Sequence, residues 1–218
     1  MLTGRGERVW RPLTNPRSLQ VSAFMDEGPR GFGLIQRTRD FSAYQDLEAH
    51  YESRPGGWVI PQGDWGRGHV ALVEIPSAAE TNDNMVVYWR PEKPLAPREE
   101  GHRYAYRLFW PNDVPLQRGF GRITRAAKGY KFGTDLPQYA IDYDIAIARG
   151  AEYAATEAST SAGRIVETLV QDNSETGGLR IFVTFDPEGA NLCELRLALK
   201  GPDGGAIGET WLARWIAP

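Results

Sequence analysis

What most constrains the fold is the period of the apolar residues. Val70–Ile75, Met85–Trp89 and Tyr104–Trp110 are rich in β-branched and aromatic residues, alternate with a period of two, and are separated by Gly, Pro, Asn and Asp. That is the pattern of half-buried strands set apart by turns. Leu19–Phe24 repeats it near the start of the chain, and Ala140–Ile147, Arg164–Val170, Leu179–Phe185, Leu192–Leu199 and Glu209–Ile216 repeat it towards the end. The 24 Gly and 15 Pro among 218 residues, with 7 Trp, 9 Tyr and 8 Phe, suit short strands and many turns. One stretch departs from this period. In Asp40–Ser53, Phe41, Tyr44, Glu48 and Tyr51 recur at helical spacing, and Ser42 with Gln45 fits a capping box before Arg54-Pro-Gly-Gly ends the segment. It predicts a short helix or helical turns.

Alternation lapses between Pro111 and Pro137, where Pro111-Asn-Asp-Val-Pro115 and Lys128-Gly-Tyr-Lys-Phe-Gly133 intervene, and a domain boundary is expected near residue 120. Residues 119–138 read as a linker. Beyond it, five or more strands punctuated by Asp186-Pro-Glu-Gly and Gly201-Pro-Asp-Gly-Gly have the profile of a small antiparallel sandwich of immunoglobulin-like type. Trp10-Arg-Pro-Leu-Thr-Asn-Pro16 leads straight into a strand, so the chain reads as one entered midway.

Several functions are poorly served by this composition. With 25 Lys+Arg against 28 Asp+Glu and a formal charge of −3, no electrostatic excess is present to hold a nucleic acid or an anionic membrane. Met1–Trp10 is polar and has no apolar leader core, and no stretch approaches the roughly 18 apolar residues of a membrane span. As written, the polypeptide reads as soluble and without a signal peptide. The one cysteine, Cys193, lies in an apolar alternation and is expected to be a buried, inert thiol. His50, His69 and His102 are scattered, and no HExxH, phosphate loop or nucleophile elbow occurs, so neither metal nor cofactor is expected. Gly31-Phe-Gly33 and Gly63-Asp-Trp-Gly-Arg-Gly68 lie outside any strand-to-helix context and read as turns.

What remains is a dense mixture of carboxylates, arginines and aromatics between residues 32 and 90. Sugars present apolar C–H faces rimmed by hydroxyls, so their sites pair aromatic rings with planar carboxylate, amide and guanidinium groups. Arg37, Asp40, Tyr44, Gln45, Glu48, Arg54, Trp58, Trp65, Glu80 and Trp89 have the composition of such a groove. The same residues permit a plainer arrangement, in which Trp58, Trp65 and Trp89 fill a sandwich core and the charges pair on its surface. Composition leaves both open.

The order of residues adds to this. Pro29-Arg-Gly-Phe-Gly-Leu-Ile-Gln-Arg-Thr-Arg-Asp-Phe-Ser-Ala-Tyr-Gln-Asp-Leu-Glu48, Tyr51-Glu-Ser-Arg-Pro55, Trp58-Val-Ile-Pro61, Asp64-Trp-Gly-Arg-Gly68, Val73-Glu-Ile-Pro76, Glu80-Thr-Asn-Asp-Asn84 and Tyr88-Trp-Arg-Pro-Glu92 closely resemble the periplasmic glucan biosynthesis proteins G and D. The resemblance extends to Trp10–Pro16 and, more weakly, to Gly208-Glu-Thr-Trp-Leu212. It implies an all-β fold, with residues 1–118 as the C-terminal part of a large β-sandwich and 139–218 as the immunoglobulin-like domain. It further implies a periplasmic location, a β-linked glucan with a β-1,2 backbone as partner, and the chemistry of inverting β-1,2-glucanases or related transglycosylases. By the resemblance, Asp83 would be the general acid and Tyr51 would line the path that relays a proton from water. The family's general base lies upstream of the Trp10 motif, in a stretch that would precede Met1.

Residue by residue, local alternatives stand beside these roles. Asp83 with Asn84 fits an Asx turn, Tyr51 fits a core aromatic, and Arg37, Asp40 and Tyr44 fit a structural cluster. Two function classes follow: an enzyme of β-glucan metabolism, and a non-catalytic glycan-binding or assembly module. A truncated sandwich would also expose apolar faces, which predicts self-association or cover by a missing segment.

Overall fold

The computed structural model describes residues 1–79, 81–97, 101–113, 120–145 and 155–218. Among them the fold is all-β, in two compact units, one of Met1–Gly6 with Leu13–Pro115 and the other of Glu7–Pro12 with Leu116–Pro218.

The first unit contains two three-stranded antiparallel sheets. One runs β2 (Gln20–Glu27), β5 (Arg67–Glu74), β6 (Met85–Pro91), with β5 central. The other runs β3 (Phe32–Leu34), β4 (Gly57–Gln62), β7 (Ala105–Phe109). Val70-Ala71-Leu72-Val73 in β5 is apolar on both faces, the pattern of a strand with something to cover on each side. Pairing places Gln20, Ser22 and Phe24 beside Glu74, Leu72 and Val70 on one face, and Val21, Ala23 and Met25 beside Val73, Ala71 and His69 on the other. The first face is inside, with Gln20, Ser22 and Glu74 buried. Val21 and Met25 are 55% and 67% exposed, and Val86 and Tyr88 of β6 continue the same open face. Alternation therefore marks β2 correctly as a strand, but the side that carries its aliphatic residues faces outward.

Gly31-Phe-Gly33 is not the turn its glycines suggest. Phe32 and Gly33 belong to β3, and a Cβ on Gly33 would lie 1.9 Å from the Gly57 carbonyl oxygen. Gly31 sits against the Trp58 indole, 2.7 Å from where its own Cβ would be. These glycines permit close backbone approach. Gly63 and Gly66, with φ of +78° and +68°, do form the turn expected between β4 and β5.

The expected helical segment at 40–53 resolves into two 3-10 turns, Phe41–Ala43 and Tyr51–Ser53. Asp40, not Ser42, caps the first, accepting from the Ser42 N–H at 2.8 Å. Asp46 then accepts from the N–H groups of Glu48 and Ala49, both at 2.8 Å, and Gln45 and His50 take left-handed backbone conformations. Carboxylates that bond so close along the chain compete with helix propagation, which is why helical spacing here yields only isolated turns.

In the second unit, β8 (Ile123–Tyr130), β9 (Pro137–Tyr143), β10 (Ala155–Thr160), β11 (Arg164–Asn173), β12 (Gly178–Asp186), β13 (Leu192–Lys200) and β14 (Thr210–Ile216) form two sheets, ordered β11-β12-β9-β8 and β14-β13-β10. With β8 to β14 lettered A to G these are D-E-B-A and G-F-C, the strand order of the constant-type immunoglobulin sandwich. β1 (Val9–Trp10) adds a parallel strand beside β14, pairing Val9 with Thr210 and Trp10 with Trp211. Alternate residues of β9, β12, β13 and β14 face inward and form one core, from Tyr139, Ile141 and Tyr143 to Leu179, Ile181, Val183, Phe185, Leu195, Leu197, Leu199 and Trp211. Cys193 is buried among them. Tyr139 meets Trp211 edge-on at 4.8 Å between ring centroids, and Phe185 meets Trp215 at 5.6 Å.

Among β8 to β14, β8 and β10 have no clear sequence signal. β8 lies where alternation lapses, within 119–138, and beyond Ile123 it is almost wholly exposed at a sheet edge. An edge strand with little to bury needs no apolar period, and Lys128 suits a protected edge. β10, at the edge of the other sheet, likewise alternates only between exposed and half-buried small residues. Of the expected strand 140–147, residues 146 and 147 lie outside the described residues, and β9 ends at Tyr143.

The buried tyrosines make this unit sensitive to alkali. Burial pushes the Tyr139 phenol up to about 12, and burial with the nearby Glu209 carboxylate raises Tyr143 further. Both must stay neutral in the fold, whereas an unfolded tyrosine ionises near pH 10. Stability is therefore whole below pH 10 and falls as pH rises towards 12, by about 1.4 kcal/mol per pH unit for each tyrosine. Thermal melts between pH 9 and 11 should show this fall, and Tyr139→Phe should reduce its slope. A midpoint unchanged up to pH 11 would refute it.

Candidate functional site

Three groups of polar and aromatic side chains stand out in the first unit. The first lies in the loop from Gln36 to Arg54. Its backbone is held by side chains: Gln36 Nε2 donates to Tyr51 O at 2.6 Å and to Thr38 O at 3.2 Å, and the Tyr44 hydroxyl donates to Thr38 O at 3.1 Å. Arg39 spans the loop, with Nε donating to Asn112 O and Nη1 to Glu52 O, both at 3.0 Å. Tyr44 and Tyr51 approach to 6.1 Å between centroids, and the Arg54 guanidinium lies 4.5 Å over the Tyr51 ring. Arg39 Nη2 and Glu52 Oε2 are buried here with no hydrogen-bond partner among the described residues. The Ser42 N–H holds the exposed Asp40 carboxyl below its ordinary range, so that carboxylate is committed to its cap. Gln45 and Glu48 are exposed on the same loop.

The second group is aromatic and is built by the β4–β5 turn. Trp65 stands at its centre, with centroid distances of 6.2 Å to Phe32, 6.3 Å to Trp89, 5.3 Å to Tyr104 and 6.4 Å to Tyr106. Its Nε1 donates to Ala105 O at 3.2 Å, which fixes the indole against the start of β7. Trp89 Nε1 is buried without a partner. Tyr106, opposite Pro61 in the β4–β7 pairing, is 56% exposed, so the group has an open side. Trp58 does not join this group through a ring contact and is buried against Gly31.

The third group is the connection between β5 and β6, which carries Asp83. Asp83 is exposed and has no hydrogen-bond or ion-pair partner among the described residues. Asn84, in place of Asp83, makes the local side-chain bond, donating from Nδ2 to Ile75 O at 3.1 Å. Glu80 lies outside the described residues.

The structure thus brings Tyr44, Tyr51 and Arg54 together, brings Trp65 and Trp89 together, and leaves Asp83 without a bonded partner among the described residues. Sequence reasoning passed over Gln36, Tyr104 and Tyr106 as site residues. Tyr104 and Tyr106 had a signal, since residues two apart in a strand share one face. Their partner Trp65 is about 40 residues away and reaches them only through sheet pairing. Among the described residues no group of three His, Cys, Asp or Glu side chains is arranged to hold a metal ion, and no helix is long and apolar enough to cross a membrane.

A family model described as "Periplasmic glucan biosynthesis protein, MdoG" matches residues 1–215. Glucans biosynthesis protein G of Shewanella frigidimarina is 46% identical over 218 residues, covering 99% of this chain and 39% of that protein. Glucans biosynthesis protein G 2 of Shewanella oneidensis is 46% identical over 212 residues, covering 97% and 40%. Glucans biosynthesis protein G of Vibrio cholerae is 44% identical over 218 residues, covering 99% and 40%. The chain spans about 40% of the length of the curated relatives it matches.

Proposed function

The chain belongs to the periplasmic glucan biosynthesis protein family, and from that premise we propose that it acts on a β-linked glucan in the periplasm, binding a β-1,2-linked backbone along its aromatic and arginine-bearing loops. The observation that carries this reading is the aromatic group around Trp65, with Tyr106 open to solvent. Rings clustered beside an open face offer the apolar surface on which a pyranose stacks, while the Arg54 guanidinium over the Tyr51 ring offers donors to sugar oxygens and the Tyr44 hydroxyl, which donates to Thr38 O, offers an acceptor.

In the catalytic version, Asp83 protonates the leaving glycosidic oxygen and Tyr51 lines the water's proton path. An inverting reaction also needs a second carboxylate roughly 6.5–9.5 Å away to activate that water. The family motifs assign no residue of this chain to that base. A second reading is a glycan-binding or assembly module that engages the polymer without cutting it, through the same open aromatic group around Trp65. We also propose that the open aliphatic face of β2, β5 and β6 is covered by a second copy of the chain.

Calorimetric titration with linear β-1,2-glucan tests the binding proposal. Tyr106→Ala removes an exposed ring and should weaken binding up to about tenfold, the range of a single ring contact, with the melting temperature unchanged. Trp65→Ala should weaken it further. Affinity unaltered in both variants would overturn the aromatic site. Reducing ends released by the wild-type chain support the enzyme, whereas binding without release supports the module.

A further inference from the structure

Thr14 and Asn15 precede the Asp83-bearing connection by some 60 residues, yet both are bonded to its base. The Thr14 N–H and hydroxyl donate to Glu74 Oε1 at 2.7 and 3.0 Å, and Glu74 is fully buried at the end of β5. Asn15 bonds in both directions with one residue of the connection. Its Nδ2 donates to Ser77 O at 2.7 Å, and its Oδ1 accepts from the Ser77 N–H at 3.0 Å. This reproduces, with a side-chain amide, the paired bonds of an antiparallel ladder.

From Ser77 the bonding continues inward. Its Oγ donates to Ala79 O at 2.6 Å and accepts from Ala79 N–H at 3.2 Å and from Asn82 Nδ2 at 3.1 Å. At the far end the Ile75 N–H donates to Asn84 O at 2.8 Å, and Asn84 Nδ2 returns a bond to Ile75 O at 3.1 Å. Asn82 and Asn84 thus commit their side chains to holding the connection, whereas Asp83 between them bonds to none of the described residues. Asn15 and Asn82 are exposed, and bonds at exposed sites add little to global stability, so what these bonds chiefly supply is local order.

We propose that Asn15 is a positioning residue: its two-way bond to Ser77 holds the β5–β6 connection in one conformation and thereby fixes the place of Asp83. The proposal rests on the reading of Asp83 as a general acid. Such a group must stand within hydrogen-bond reach of the oxygen it protonates, and misplacement by about 1 Å can cost on the order of 100-fold in rate.

Nuclear magnetic resonance relaxation on the full 218-residue chain tests the ordering directly. Asn15→Ala should lower the order parameter of the Asp83 amide from about 0.85 to below about 0.6, while the amides of Val70 and Leu72 stay rigid. Asn15→Asp keeps one acceptor, loses the donor, and should loosen the connection to a similar degree. Should Asn15→Ala fail to fold, the near-isosteric Asn15→Asp decides alone, since it keeps the acceptor for the Ser77 N–H and removes only the donor to Ser77 O. An Asp83 amide as rigid in these variants as in the wild type overturns the proposal. In turnover of linear β-1,2-glucan, Asn15→Ala should lower kcat about tenfold with KM within twofold. A loosened Asp83 with unchanged kcat, beside an inactive Asp83→Asn, would also overturn it. Full activity of Asp83→Asn would instead remove the acid assignment, and the order parameter would still decide whether Asn15 orders the connection.

Discussion

Asp83→Asn is expected to leave the fold and glucan binding intact and to cut release of reducing ends from linear β-1,2-glucan by roughly 100- to 10,000-fold, the share a positioned general acid supplies. The amide keeps the shape of the carboxyl group and lacks the proton to give. Asp83 is exposed and bonds to no described residue, so its replacement should change stability by no more than about 0.5 kcal/mol. Lost turnover with an unchanged melting temperature and unchanged titration would then isolate a chemical role. Turnover within threefold of wild type would end the acid assignment and leave Asp83 a solvated loop residue.

The second large effect concerns assembly. Val21, Met25, Val86 and Tyr88, with Leu19 and Ile75 at the margin, form an exposed, mainly apolar surface across three paired strands. Its centre is shallow, because Ala23 and Ala71 are paired there, and its polar groups lie towards one end, where His69 pairs with Arg90 and Glu27 with Arg67. Sheets of this kind pack face to face, and two copies stacked about a two-fold axis would remove on the order of 1,200 Å² from water, at the lower limit of stable interfaces. Light scattering at about 10 µM should therefore return a mass near twice 24.3 kDa. Val21→Lys with Val86→Lys should restore the single mass, since each places a charge where desolvation would be costly. A wild-type chain that runs as a monomer excludes the second copy, as does association that the two lysines leave unaltered.

Strands were most legible where both the period and the burial were strong. In β12 and β13 every second residue is apolar and faces the immunoglobulin-like core, so alternation and structure agree residue by residue. β8 and β10 were opaque because edge strands with exposed faces carry no such demand. At 40–53 the helical spacing of Phe41, Tyr44 and Tyr51 was real, but Asp40 and Asp46 bond to the backbone beside them and divide the segment into separate turns. Trp65, Trp89, Arg54 and Arg39 stood out by type as candidates for a groove, whereas Tyr104 and Tyr106 acquire their places from the distant Trp65.

By itself the sequence determined the all-β class, the immunoglobulin-like character of the C-terminal part and the family, because a period of two and an ordered set of motifs are properties of the chain alone. Only the tertiary structure decided which side of β2 is inside, since alternation defines two faces and does not say which one meets another layer. It likewise decided that Trp65 gathers four rings and that Asn15 grips the connection carrying Asp83, because contacts across some 40 to 60 residues are set by sheet pairing and not by local spacing.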